Sequence, residues 1–463
     1  MRKCMKITVN CIMVLVLSLS LTACGSVQSY DSYEIPKQEE SKLKPVDTLY
    51  EEVTYEGIEP TVEKTIATFQ SEDGLCTIEQ KESYYDVTLD YENGTPAEVG
   101  AAYAETIILA KPDYEAMMEP YLYENIKATF DVENDIYKVI GERIDALRET
   151  LPREYREELE GFAKTFANGE QGFVENGKMS YEEAQLMHMV PDILRGTACS
   201  AMSLWGDKSV TGKPVTVRIL EWDLGSEYQM CQGHAVVHVK NGEKSFTAIT
   251  ILGLLSILTA VNDDGVFVGE LDVGTNTNVD FKGRKSYTYD LRYALEHFDN
   301  ADDFGAYMVD NSSSYTYSHN LILSDANHCY WVEDCVIPKL GEARICDDTT
   351  KLHDGLVWNN PDSFCVVNSF AAAGNVDKLT RQEDNLVRFM KYDKWLGEQE
   401  KFSVTDVKEF LVSEKVEGNV VNVYSKAVFH LVLVDYATGT IQANFTGTDG
   451  VADVPTFVNI GQY

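Results

Sequence analysis

The sequence has no basic excess, no long apolar run beyond its N-terminus and no cysteine pair at zinc-binding spacing. Lysine and arginine number 39 against 75 aspartates and glutamates, a formal net charge of −36 at pH 7. Nucleic acids and anionic membrane surfaces are bound through clustered cations, so this balance argues against both as partners. Past residue 23 the most apolar stretch is Ala248–Ala260, shorter than the ~20 residues that span a bilayer. No CxxC pair with nearby histidines is present, which gives a metal site little support. Internal repeats and low-complexity tracts are also missing. What remains is an ordinary globular composition, 44% hydrophobic and 25% charged over 463 residues. Such a chain has room for a large core and roughly two to four domains.

The N-terminus is built as an export signal. Met1–Lys6 carries three basic residues, Ile12–Leu21 is apolar, and the run ends in Leu21-Thr22-Ala23-Cys24-Gly25. A basic head, a short apolar core and small residues at a cleavage point mark a secretory signal, here residues 1–23. A cysteine directly after the small residues resembles the bacterial lipobox, which implies cleavage before Cys24 and diacylation of its thiol. The alternative, an uncleaved membrane helix, has an apolar core shorter than a span. Residues 24–48 are polar and then acidic, with Pro36 and Pro45, and suit a flexible tether. The expected location is extracytoplasmic, with the lipid on Cys24 anchoring the chain to the bacterial cell membrane. Losing the signal removes three positive charges and no negative ones, moving the net charge from −36 to about −39.

Of ten cysteines, Cys4 and Cys11 leave with the signal and Cys24 takes the lipid. Cys76, Cys199, Cys231, Cys329, Cys335, Cys346 and Cys365 remain. An odd number in an exported chain leaves one thiol unpaired if the rest pair. Cys199 is the candidate for that thiol, and the connectivity of the other six stays open.

Along the chain, Leu49–Asp90 is partly alternating, as a few short strands would be. Helical patterns follow at Ala97–Ile108, Tyr114–Phe130 and Ile136–Arg148, and from Pro152, a first-turn proline, to about Asn168. The capping box Ser180-Tyr181-Glu182-Glu183 opens a further helix to about Leu194. At Gly196 the character changes. Short β-type runs then dominate, among them Pro214–Leu220, His234–Val239, Phe246–Ile251, Gly265–Glu270, Tyr315–Leu323, Cys329–Val332, Phe364–Val367 and Ala427–Val434. Turn signals such as Asn241-Gly242 and Asp264-Gly265 separate many of them. Helical stretches interrupt at Leu291–Phe298, Leu379–Trp395 and Val404–Val412. Many strands with a few embedded helices predict an α+β fold of sheets layered with helices. Residues 49–198 form a mainly helical N-terminal region ahead of a domain at 199–463.

A lone cysteine is more often a small buried hydrophobe than a nucleophile. What sets Cys199 apart is the ordered set around it. Thr197-Ala198-Cys199-Ser200-Ala201 is followed by Arg218-Ile219-Leu220-Glu221-Trp222 at a strand end, then by Ala260-Val261-Asn262-Asp263-Asp264-Gly265 before another strand. Val366-Val367-Asn368-Ser369-Phe370 comes later, and Asn385-Leu386-Val387-Arg388-Phe389 lies on a helix. This order resembles the acyl-CoA:6-aminopenicillanic acid acyltransferase family of cysteine N-terminal-nucleophile hydrolases, relatives of the choloylglycine hydrolases and acid-ceramidase-like amidases. The resemblance covers about residues 155–445. It implies an αββα N-terminal-nucleophile sandwich with no metal or organic cofactor, acting on a small N-acylated substrate.

In that arrangement the base that activates the thiol is the cysteine's own α-amine, with a reference pKa near ~8. The amine exists only once the bond before it is broken. The resemblance therefore implies self-cleavage between Ala198 and Cys199, releasing the N-terminal region from the catalytic one. Arg218 matches the family arginine beside the thiol, where a guanidinium would favour the thiolate. Glu221 stands where aspartate is usual and would orient the new amine, one methylene further out. Ile219 replaces a customary asparagine and Ser369 a common histidine. Asn368 matches the asparagine whose NH₂ faces the developing oxyanion. Asn262 matches a second polar contributor, although Asn-Asp-Asp-Gly is also an ordinary turn. Arg388 matches the late helix arginine, which would pair with Glu221 or hold the site, an exposed helix arginine being the alternative.

The function this implies is hydrolysis or acyl transfer at a linear amide through an acyl-Cys199 intermediate. Hydrolysis is favoured because acyl-CoA is scarce outside a cell. The departures at Ile219, Glu221 and Ser369 keep a second reading open, a catalytically impaired surface-binding lipoprotein on the same fold. A papain-like pair of Cys199 with His234, His238, His319, His328 or His430 has no signature around any of the histidines.

Overall fold

Capping chemistry and β-branched runs define most of the elements. The computed structural model describes residues 59–130, 135–167, 169–194, 198–274, 280–377, 383–413, 423–451 and 456–463. The export signal, Cys24 and the tether lie outside the described residues. Three strands come first, β1 (Ala67–Gln70), β2 (Cys76–Gln80) and β3 (Tyr85–Asp90). Five helices follow: α1 (Pro96–Ala110), α2 (Tyr114–Thr129), α3 (Ile136–Thr150), α4 (Arg153–Ala167) and α5 (Tyr181–Ile193). Thr95 and Glu98 form a reciprocal capping box at the start of α1, and Ser180 and Glu183 form the expected one at α5.

The chain then alternates between two sheets. Strands β4 (Ala198–Leu204), β5 (Val215–Glu221), β6 (His234–Lys240), β7 (Phe246–Ile251), β8 (Thr259–Asn262) and β9 (Phe267–Asp272) precede helices α6 (Tyr287–His297) and α7 (Ala301–Asn311). After them come β10 (His319–Ser324), β11 (Cys329–Asp334), β12 (Arg344–Cys346) and β13 (Ser363–Val367), then helices α8 (Glu383–Leu396) and α9 (Val404–Ser413). Strands β14 (Val428–Asp435), β15 (Thr440–Phe445) and β16 (Val458–Gln462) close the order. One sheet has ten strands in the order β1-β2-β3-β6-β7-β8-β9-β10-β11-β12, the other six in the order β13-β4-β5-β14-β15-β16.

The two sheets face each other across a buried interior. Tyr436 Oη donates to the Ser324 carbonyl at 2.7 Å, and Asn320 Nδ2 donates to the Val367 carbonyl at 2.9 Å, each bond joining one sheet to the other. On its opposite face the six-stranded sheet offers Met202, Leu204, Val217, Ile219, Leu431 and Leu433 to Phe389 and Tyr392 of α8 and Phe410 of α9. Helices α1, α6 and α7 lie on the ten-stranded sheet, while α4, α5 and α3 pack outward in succession from α1. The result is the expected α+β, αββα layering.

Sheet pairing and helix packing join the N-terminal region to the domain that follows it. Strands β1–β3 extend the ten-stranded sheet, and β3 pairs in parallel with β6 from Tyr85↔Ala235 to Asp90↔Lys240. Helix α1 crosses α4 at glycines: a Cβ on Gly100 would lie 2.1 Å from the Glu158 carbonyl oxygen, and one on Gly161 2.0 Å from that of Ala97. A buried charge cluster ties α4 to α6. Arg292 donates to both Glu158 oxygens at 2.7 and 2.8 Å and to Glu296 at 3.0 Å, and the Tyr91 hydroxyl also donates to Glu158. Asp192 near the end of α5 accepts from Ser286 Oγ at 2.8 Å, Thr288 Oγ1 at 2.5 Å and the Tyr287 N–H at 3.2 Å.

Several elements lie outside the runs marked in the sequence, two of them informative. The run Ala198–Leu204 carries no β-branched residue yet forms a central strand, and Ala301–Asn311 forms a helix capped by the Asn300 side chain. All seven described cysteines are free and buried thiols.

Two outcomes follow from the buried charges. Arg292→Met strands two carboxylates in the core, and a loss of about 3–5 kcal/mol of unfolding free energy is expected, read from urea titrations. Burial pushes the Asp192 carboxyl up to about 7, above its unfolded value, so the fold holds that proton more tightly than the unfolded chain. Its contribution to stability should therefore decline as pH rises from about 4 to about 7. Comparing unfolding midpoints of the parent and Asp192→Asn across that window isolates the slope, and parallel curves would contradict it.

Candidate active site

The site begins where a β-ladder stops. Strand β4 lies between β13 and β5, but its pairing with β13 ends at Val367↔Ser200, whereas its pairing with β5 continues through Cys199↔Leu220 to Ala198↔Glu221. On the vacated side, side chains replace the backbone. The Cys199 N–H donates to Asn368 Oδ1 at 2.5 Å, and the Cys199 carbonyl accepts from Arg388 Nη1 at 2.6 Å. The peptide joining Ala198 to Cys199 is thus gripped just after its carbonyl by groups from the loop behind β13 and from α8.

Arg388 organises this side. Its Nη1 also donates to Glu221 Oε2 at 3.0 Å, and its Nη2 to Asn368 Oδ1 at 3.1 Å and Asn385 Oδ1 at 2.6 Å. Four acceptors use the four terminal N–H groups of a planar fork, a task lysine cannot perform. Glu221 takes a further bond from Ser425 Oγ, and Asn385 Nδ2 donates to Ser369 Oγ at 2.6 Å. The pairing expected between Arg388 and Glu221 is present, both groups being buried.

Two donors converge on Asn368 Oδ1, so its amide orientation follows from its neighbours, and its Nδ2 donates to the Asp272 carbonyl at 2.8 Å. In the intact chain one N–H of that amide is therefore committed to a backbone carbonyl. The loop behind Asn368 is held in turn by buried Glu333, which accepts from the Ala371 N–H at 2.5 Å, the Ala372 N–H at 2.8 Å and Asn375 Nδ2 at 2.8 Å.

On the inner face, Cys199 and Arg218 are both fully buried. Arg218 Nη2 donates to the Glu270 carbonyl at 2.5 Å, while Nε and Nη1 have no hydrogen-bond partner among the described residues. Burial pushes the Cys199 thiol up to about 11, the Arg218 charge draws it the other way, and the Glu270 and Glu221 charges oppose Arg218. Burial in turn pulls the Arg218 guanidinium down from its ordinary value. A neutral thiol with a cation beside it is the result.

Asn262 is not brought into this cluster. Its Nδ2 donates to the Leu295 and Phe298 carbonyls at 3.0 and 2.9 Å, and its Oδ1 accepts from the Val266 N–H at 2.8 Å. The first two bonds staple the Asn-Asp-Asp-Gly turn to the end of α6 and the third closes the turn on itself, which is the turn role its sequence also allowed. His234, His238 and His430 bond to Thr446, Thr247 and Thr259, so the papain-like alternative gains nothing from them. Asn385, Asp272 and Glu333 were missed from sequence. Asn385 was within reach, because an asparagine three residues before Arg388 on a helix shares its face. Asp272 acts through its backbone carbonyl, which leaves no side-chain signal.

No family model matches the sequence, and no curated protein does either. Among solved structures the chain is similar to a Caenorhabditis elegans N-acylethanolamine-hydrolyzing acid amidase ortholog, with 11% identity and a TM-score of 0.35 over 51% of this chain and 93% of that one. It is also similar to two variants of conjugated bile acid hydrolase from Clostridium perfringens. For these the identities are 11% and 12% and the TM-scores 0.37 and 0.28, over 57% of this chain and 92% and 89% of theirs. Values this low carry no argument about activity, which must be read from the site itself.

With the Ala198–Cys199 bond intact, a thiol this buried and this far raised is protonated at neutral pH. Folded chain that has not been cut should leave Cys199 unmodified by iodoacetamide at pH 7–8, whereas unfolded chain should be alkylated there. Peptide mass spectrometry reads both, and fast modification of the folded, uncut form would contradict the description.

Proposed function

We propose that this chain is a cysteine N-terminal-nucleophile amidohydrolase or acyltransferase that works through an acyl-Cys199 intermediate after cutting itself between Ala198 and Cys199. The observation that carries the reading is the paired grip of Asn368 and Arg388 on the backbone around a buried thiol. An ordinary core cysteine has its N–H and carbonyl in the strand ladder; this one has both on polar side chains, next to a peptide that its own thiol adjoins.

In the cutting step, Cys199 Sγ adds to the Ala198 carbonyl carbon, and the C–N bond breaks as the Cys199 nitrogen takes the thiol proton. Water then hydrolyses the Ala198 thioester, leaving a carboxylate on Ala198 and a free α-amine on Cys199. That nitrogen starts within hydrogen-bond reach of Asn368 Oδ1, and Glu221 lies opposite Ala198 in the strand pairing. The amine then serves as the base. It takes the thiol proton while Sγ attacks a substrate amide carbonyl, Arg218 stabilises the thiolate, and the proton passes to the departing amine. Water completes hydrolysis of the acyl-Cys199, or a second amine completes transfer. The first N–H of Asn368 Nδ2 is held by the Asp272 carbonyl, and the second would donate to the oxyanion.

The substrate class this supports is a small N-acylated amine, handled outside the cytoplasm by a chain held to the membrane through lipid on Cys24. Two of the three departures support the active reading, because Glu221 keeps its ion pair with Arg388 and Ser369 accepts from Asn385.

Intact mass tests the reading. Purified protein should run as two fragments on a denaturing gel, the second beginning at Cys199, and Cys199→Ala should run as one. Because β3 pairs with β6 across the cut, the two fragments should still elute together under native conditions. A single full-length species unaltered by Cys199→Ala, together with no turnover of N-acyl amides of any chain length, would remove the proposal.

A further inference from the structure

Glycine within a strand gives up side-chain packing and backbone entropy, so an interior strand glycine calls for a reason. Gly269 stands in the middle of β9 between Val268 and Glu270. Its backbone is not in the left-handed region, so conformation does not demand glycine. Space does. A Cβ at this position would lie 2.6 Å from Arg218 Cγ, 3.3 Å from Arg218 Cβ and 2.9 Å from Ile322 Cγ2.

The first two atoms are the root of the arginine side chain, set by the β5 backbone and not by a swinging tip. Arg218 stands on one sheet and its guanidinium donates to the Glu270 carbonyl on the other, so the side chain has to pass Gly269 to get there. Any atom added at Gly269 displaces it where it is least able to yield.

Resting on the reading of Cys199 as nucleophile, we propose that Gly269 is a positioning residue for the reaction. Its missing side chain is the notch through which Arg218 crosses between the sheets. The notch lets Nη2 dock on the Glu270 carbonyl while Nε and Nη1, buried and without acceptors among the described residues, remain available to the Cys199 thiolate. The arginine supplies the charge and the glycine supplies its address.

A double-mutant cycle tests this on the full chain. Gly269→Ala, Arg218→Ala and the double variant are compared by the pH dependence of Cys199 alkylation with iodoacetamide and by thermal unfolding. Gly269→Ala should move the alkylation midpoint upward in pH in the direction Arg218→Ala moves it, with alkylation about tenfold slower at pH 8. In the double variant the offending Cγ is gone. Its midpoint should match Arg218→Ala, and adding the methyl should lower the unfolding temperature by clearly less than it does beside an intact Arg218, the remainder coming from Ile322.

An unshifted midpoint in Gly269→Ala, or additive effects in the double variant, would overturn the inference. If Gly269→Ala does not fold, the double variant must fold and match Arg218→Ala, and its failure to do so counts equally against the notch. Alkylation is read on the cut form, because uncut folded chain leaves Cys199 unmodified, whereas the unfolding cycle needs neither self-cleavage nor amide turnover. A chain that stays in one piece but shows the coupled unfolding temperatures would retire the proposed function and leave the notch at Gly269 standing.

Discussion

The arrangement around Cys199 depends on one side chain, Arg388, donating in four directions at once. Its fork holds a backbone carbonyl on β4, a carboxylate on β5, an amide on the loop behind β13 and a second amide on its own helix. These belong to three adjacent strands and the helix that packs on them. A buried guanidinium is costly unless its hydrogen-bonding groups are met and an opposite charge is near, and Glu221 supplies that charge. The demand therefore runs both ways: the site needs Arg388 to hold it, and Arg388 needs the site to be buried at all.

The edge and the inner face of β4 divide the labour. At the edge that β13 vacates are the polar clamps that fix the backbone, and toward the ten-stranded sheet is Arg218, whose charge acts on the thiol. Backbone groups lie in the plane of a sheet while side chains stand off it, which makes this separation possible. One residue can have its peptide gripped from one direction and its side chain tuned from another, with neither set of groups crowding the other. In the intact chain the tuning is incomplete, because burial outweighs Arg218 and keeps the thiol protonated.

Much of the layering was legible in the sequence. The capping box at Ser180, the helical periods from 97 to 194 and the β-branched runs after 214 reappear within a few residues of where the pattern put them, because each is a local property. The strand bearing Cys199 was not legible: Ala-Cys-Ser-Ala-Met-Ser-Leu has almost none of the residues that mark a strand, and it is one because β5 and β13 flank it. At the site, the motif order carried Cys199, Arg218, Glu221, Asn368 and Arg388 into one cluster. Asn262 stayed outside it, since its turn sequence serves the turn. Contributions made through a main-chain carbonyl, as at Asp272, or through an absent side chain, as at Gly269, have no letter of their own to read.

The parallel pairing of β3 with β6 joins residue 85 to residue 235, with five helices and two strands of the other sheet in between. Contacts so distant along the chain form late and close a long loop at considerable entropic cost. That cost is bearable while the chain is one molecule. Were the link between the strands severed after folding, the same pairing would become an interface between two polypeptides, and its loss a dissociation that dilution promotes. The mature assembly would then owe its persistence to slow opening rather than to a ready return, so that a heated sample would not regain on cooling what the newly made chain achieved once.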